Sequence, residues 1–142
     1  MIVDVIPLKV DTAIKQEHQL EETLYGGKGR PVAYIADDDE NSIYLWDGHA
    51  VAYITDETVF GWNGKHIGWF VDGVIYDTSG QRVGSVGSKC SYALHAQPAK
   101  YAKYAKYAKY ARHAAYARAA LSTGYSDLPL EEFLKTGGVG GV

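Results

Sequence analysis

The chain has almost no means of holding itself together covalently. It contains a single cysteine, Cys90, so no internal disulfide forms, and a reducing, cytoplasmic setting is the expectation. The opening MIVDVIPLKVD has neither a basic leader nor a long apolar run, so it is not expected to be a signal peptide. No stretch approaches the roughly 20 apolar residues of a membrane span. Cys90 has no HxxC or CxxC company, and the five histidines (His18, His49, His66, His95, His113) fall at no common spacing. Catalysis needs a nucleophile and base, or paired carboxylates, at converging positions, and none is discernible. The preferred reading is therefore a non-enzymatic binding or scaffold module with no metal and no cofactor, and an enzyme of unrecognised type is the alternative. The run Asp37-Asp38-Asp39-Glu40 lacks the D-x-D-x-D-G spacing of a calcium loop and reads as a solvated connector. Gly26-Gly27-Lys28-Gly29 leads into a strand rather than a helix, so it is a turn and not a phosphate loop.

Acid is missing from one region altogether. Residues 100–118 hold six basic side chains and no carboxylate, whereas the preceding 99 residues hold 14 acids against seven bases. The abundant residues are glycine, 16 of them, and tyrosine, 12 of them. With valine, isoleucine and tryptophan, the tyrosines favour strands over helices.

A unit of twelve residues recurs four times: 24–35, 43–54 (IYLWDGHAVAYI), 59–70 (VFGWNGKHIGWF) and 75–86 (IYDTSGQRVGSV). Position two is aromatic in each copy (Tyr25, Tyr44, Phe60, Tyr76), and position six is glycine (Gly29, Gly48, Gly64, Gly80). Position nine is β-branched (Val32, Val51, Ile67, Val83), and position ten is very small (Ala33, Ala52, Gly68, Gly84). Agreement at fixed positions over four copies marks a repeat architecture. Asp47-Gly48 and Asn63-Gly64 predict two-residue type I′ hairpin turns, with both turn residues at positive φ. Paired across such a turn, the second unit places Tyr44, Trp46, His49, Val51 and Tyr53 on one face and Ile43, Leu45, Ala50, Ala52 and Ile54 on the other. Both faces are largely apolar, so something must cover the outer one. The small-residue face suits the inside of a closed structure, which also removes exposed strand edges.

The W-[DN]-G and A-Y-I elements of these units resemble the bacterial four-fold β-flower domain over residues 24–86. Residues 125–134 (YSDLPLEEFL) are similar to the segment that closes such proteins. The resemblance implies a shallow barrel of four hairpin petals around an axis, with an apolar inner channel, and broadly like Tubby-type barrels in shape. It implies no activity. The chain departs from it in a longer N-terminal segment and in a tail reading Y-A-K in place of P-A-R.

The predicted fold class is all-β: four repeated hairpins closed into a shallow pseudo-four-fold barrel over 24–94. A helical extension (1–23), a basic tail (95–124) and a short helix with a disordered glycine-rich end (125–142) accompany it. A helix is expected over 11–24 and another over 126–134. The tail triplets PAK-YAK-YAK-YAK-YAR favour a helix by propensity, but their period of three fits polyproline II better than 3.6.

Two binding surfaces follow. Ala33, Ala52, Gly68 and Gly84, rimmed by Ile35, Ile54, Phe70 and Val86, leave either a packed core or a bore for an apolar small molecule or acyl chain. Lys100, Lys103, Lys106, Lys109, Arg112 and Arg118 either meet an anionic partner, nucleic acid or membrane, or lie on the chain's own acidic barrel. Partner identity, and whether the chain is a homo-oligomer, stay open.

Overall fold

In the computed structural model, which describes residues 21–142, eight antiparallel strands form one closed barrel in sequence order. They are β1 (Glu22–Gly26), β2 (Pro31–Ile35), β3 (Ser42–Leu45), β4 (Ala50–Thr55), β5 (Thr58–Gly61), β6 (His66–Val71), β7 (Val74–Asp77) and β8 (Arg82–Val86). Each unit supplies one hairpin. The wall closes where β1 meets β8, with Leu24 opposite Val86 and Gly26 opposite Gly84. Residues 11–20 of the expected N-terminal helix lie outside the described residues, and from Glu22 the chain is already strand.

The hairpin tips differ from the expected type I′ turns. Gly48 N–H donates to Leu45 O at 2.9 Å and Leu45 N–H to His49 O at 2.9 Å, while Gly48 has φ +99° and Asp47 is not at positive φ. This is a type I turn closed by a left-handed glycine, the three-residue alternative for a hairpin. Asp47 Oδ1 accepts the N–H of His49, and Asn63 Oδ1 that of Lys65, each at 3.0 Å. Both acid and amide therefore act as side-chain braces of the loop. Two-residue turns with both φ positive do occur, but between units, at Asp56-Glu57 and Asp72-Gly73.

Every hairpin carries a β-bulge at its ninth position. Tyr44 faces Ala50 and Ile43 faces Ala52, so Val51 is the extra residue, and the same shift passes over Val32, Ile67 and Val83. A bulge reverses the alternation locally. Val51, Ile67 and Val83 consequently join the inner core, which corrects the expected outward placement of Val51. Ala50, expected inside, packs on the outer aromatic side instead, and so does His66 of the third unit.

The interior is occupied by the chain's own C-terminus. Helix α1 (Leu130–Lys135) follows Pro129, which is extended (φ −62°, ψ 152°), and starts four residues later than expected. Proline at the N-cap loses no helical hydrogen bond. Leu130, Phe133 and Leu134 are buried with Leu24, Ile43 and Ile75 in one cluster. The small residues make the room: a Cβ at Gly84 would lie 2.8 Å from Leu130 Cδ2, and one at Gly68 would lie 3.0 Å from Phe133 Cζ and collide with Tyr76 O. Ala33, Ala52, Ile35 and Val86 share this cluster, with Ile54 and Phe70 packed against it. Of the two alternatives, a packed core or a bore, these residues form the first: they surround a plug.

Two substitutions test this packing. Gly68→Leu should destabilise by about 1–3 kcal/mol or more through overpacking, while Lys65→Leu, on an exposed tip, should change little. Chemical denaturation of both variants checks it, and equal tolerance would contradict the plugged interior. Gly64→Val places a β-branched residue at φ +89° against the carbonyl of Ala111, and should lose at least about 1–3 kcal/mol from backbone strain alone.

Candidate functional site

The tail is extended, with no helix anywhere from residue 91 to 124, which corrects the propensity-based expectation. It runs round the barrel as a belt, and its contacts repeat every nine residues. The carbonyls of Gly29, Gly48, Gly64 and Gly80 accept the N–H groups of His95, Tyr104, His113 and Ser122 at 2.8–2.9 Å. The carbonyls of Ala93, Ala102, Ala111 and Ala120 lie against the Cα atoms of the same four glycines, where any Cβ would strike them. In the middle units the indoles add a third contact: Trp46 Nε1 donates to Pro98 O at 3.2 Å and Trp62 Nε1 to Tyr107 O at 2.6 Å. Three residues per turn place every third side chain on one edge. The lysine edge faces the barrel, and the tyrosine edge faces solvent, with Tyr101, Tyr104, Tyr107, Tyr110 and Tyr116 all more than half exposed.

The barrel meets the lysine edge with aromatic clefts. Between units one and two, Tyr34 and Tyr44 stack at 5.5 Å with Trp46 edge-on; between units two and three, Tyr53, Phe60 and Trp62 repeat the arrangement. Lys100 sits 4.4 Å from the Tyr34 ring centre, Lys109 sits 4.0 Å from Tyr53, and the Arg118 guanidinium lies 5.7 Å from Trp69. Nine residues separate each base from the next. Each also pairs with an acid placed just ahead of a unit: Lys100–Glu21 at 2.9 Å, Lys109–Glu40 at 2.6 Å and Arg118–Glu57 at 2.9 Å. Lys103 shares Glu21, Lys106 bridges Asp38 and Glu40, and Arg112 Nε donates to Tyr53 Oη at 3.0 Å. All six basic residues considered for an anionic partner are therefore turned onto the barrel. Cation–π contact accounts for the aromatic half of this arrangement.

The connector at 37–40 is not simply a solvated loop. Burial raises the Asp38 carboxyl, but the Lys106 ammonium and the Ser42 N–H outweigh it and hold it at about 2. Lys109 and Lys106 likewise hold Glu40 below the usual carboxylate range. The sequence carried a signal for these pairs: Glu21, Glu40 and Glu57 precede their units by three, three and two residues.

His66 joins belt to wall. Its Nε2 lies 2.9 Å from Gly68 O and its Nδ1 accepts the Tyr116 N–H at 2.8 Å, which requires the neutral ring with its proton on Nε2. Burial pushes its pKa below 6.5.

Within the C-terminal end expected to be disordered, Gly137 and Val139 are instead buried. Gly137 enters between units two and three and touches the Cα of Gly61, while Val139 is buried with Tyr53, Phe60 and Trp62. Asn63 binds this peptide twice, Nδ2 to Thr136 O at 2.8 Å and N–H to Gly137 O at 3.0 Å. Among the described residues, clefts lie open on either side of unit one. One, of about 550 Å³, lies toward unit two and holds Trp46, Asp47, His95 and Pro98. The other, of about 520 Å³, lies toward unit four and holds Lys28, Arg82 and Tyr125. Arg30, Val32 and Glu131 border both. Among the described residues no three His, Cys, Asp or Glu side chains gather as a metal-binding group, and no helix is long and apolar enough to cross a membrane.

A closed antiparallel barrel of four bulged hairpins, plugged and belted by its own C-terminal third, defines a repeat barrel of four petals. The family model of the 4-fold beta flower protein matches residues 22–134, and the chain belongs to that family. The matched span begins with β1 and ends within α1, so wall, belt and plug all fall inside it. No curated protein and no solved structure matches the chain.

The His66 hydrogen bonds give a pH dependence. A folded pKa below the unfolded value means that the unfolded chain binds the proton more readily. The stabilisation is thus complete above about 6.5 and is lost as pH falls through the lowered folded value. Protonation of Nδ1 would set donor against donor at Tyr116. An NMR titration should place the His66 pKa below 6.5, with the Tyr116 amide losing exchange protection in step. A normal His66 titration with Tyr116 unaffected would refute the linkage.

Proposed function

We propose that the protein is a non-enzymatic binding module, a rigid scaffold that offers the clefts beside unit one to a partner molecule. The observation that carries this reading is their openness where the equivalent cleft between units two and three is filled. Pockets of several hundred cubic ångströms with a few convergent polar groups are the usual form of a ligand site. Two of the histidines serve the fold. His66 serves Gly68 and Tyr116, and His49 lies between Asp47 at 3.0 Å and the stacked ring of Tyr104.

The apolar-channel reading requires α1 to leave the barrel, and the anionic-adaptor reading requires the belt lysines to leave their carboxylates. Each would break contacts that the cleft reading leaves in place. Titration of the full chain with extended peptides, single-stranded oligonucleotides, anionic vesicles and a fatty acid separates these uses. Perturbation of the Trp46 indole or Tyr125 NMR signals, without loss of belt amide protection, is the expected outcome. Saturable binding of fatty acid or oligonucleotide that leaves both clefts unperturbed would overturn the reading.

A further inference from the structure

The open cleft between units one and two is the pseudo-symmetric copy of the cleft that the chain fills with its own C-terminal peptide. Four hydrogen bonds recur between them. Trp62 N–H reaches Val51 O at 3.0 Å, and Trp46 N–H reaches Val32 O at 3.1 Å. Tyr110 N–H binds Trp62 O, and Tyr101 N–H binds Trp46 O. Each indole donates to the belt, at Tyr107 and at Pro98 nine residues earlier. Asn63 and Asp47 brace their loops identically through Oδ1. The cleft between units two and three holds a peptide of the chain itself: Thr136–Val139, small residues that leave the last turn of α1, lie in it and are held by Asn63.

Two differences define what the open copy takes. Where Asn63 uses Nδ2 to donate to the Thr136 carbonyl, Asp47 presents its second carboxylate oxygen, Oδ2, which has no partner among the described residues. A carbonyl there would meet an acceptor, whereas an ammonium would form a charge-assisted bond. Where Gly61 lets Gly137 approach the wall, Leu45 fills the space with its own buried side chain, so an occupant lies further out, over Trp46 and beneath Pro98.

We propose that this cleft binds a small-residue peptide segment of another chain that presents an amine to Asp47. The proposal rests on the binding-module reading and names its ligand class. Arg30 and His95, which also line the cleft, suit the carbonyl groups of such a segment.

The test uses the full-length protein and a hexapeptide amide of the chain's own residues 137–142, Gly-Gly-Val-Gly-Gly-Val, with a free amino terminus and, separately, acetylated. The free-amine peptide should shift the Trp46 indole and His95 signals, and acetylation should weaken binding by about tenfold or more. Asp47→Asn keeps the loop brace and recreates the chemistry of Asn63, so it should remove the preference for the free amine. Absent binding, binding indifferent to both changes, or shifts confined to Val139 and Tyr107 would overturn the proposal. If the peptides fail while another probe saturates the clefts, the binding-module reading stands and only the peptide assignment falls.

Discussion

Nine residues of extended chain reach from one hairpin tip to the next, and the outside of the molecule depends on that match. At about 3.1 Å per residue, nine residues of polyproline II-like chain span roughly 28 Å. The same nine as an α-helix would span about 14 Å, half that reach, and about 3.6 residues per turn would not return the same edge at every ninth residue. Nine is also three whole turns of a three-fold chain, so the same edge faces the barrel at every tip. The belt amides, the belt carbonyls over the turn glycines, and the lysines over the aromatic clefts therefore all keep register together. Alanine and lysine favour a helix in isolation by tenths of a kcal/mol per residue. The bonds from His95, Tyr104, His113 and Ser122 exist only in the extended form.

The interior follows from a similar economy of space. A bulge at the ninth position of each hairpin turns a β-branched side chain inward, while the small tenth residue keeps the wall thin. Four such sectors leave a cavity at the axis that Leu130, Phe133 and Leu134 fill. Plug and belt are one continuous C-terminal segment, so the wall's two apolar faces are covered from within the same chain. The segment's last residues spend one of the inter-unit clefts, and the asymmetry this creates is what leaves unit one with open neighbours.

The charges on the belt illustrate how position overrules composition. A run of six bases without an acid reads as an anion-binding tract. In the structure the anions come from Glu21, Asp38, Glu40 and Glu57, and the aromatic rings behind them make the clefts favourable for cations. The exposed edge that remains is tyrosine, a rigid amphipathic side chain suited to contact with other molecules.

The four-fold repeat, the all-β class, the closure of the wall and the inward direction of the small residues were legible in the sequence. Each is carried by side-chain pattern within a unit of twelve residues. The period of three in the tail was legible too, and with it the extended alternative. The choice between helix and extended chain was not, because it turns on hydrogen bonds between residues more than 40 positions apart, such as Trp62 with Tyr107. Nor was the exchange of Val51 with Ala50 and of Ile67 with His66 across the wall, since a bulge shifts register without altering composition. Whether Gly137 and Leu130 end in solvent or in the barrel was likewise decided only by the tertiary structure. A short apolar segment has no fold of its own, and it takes its place from the cavity that the four repeats enclose.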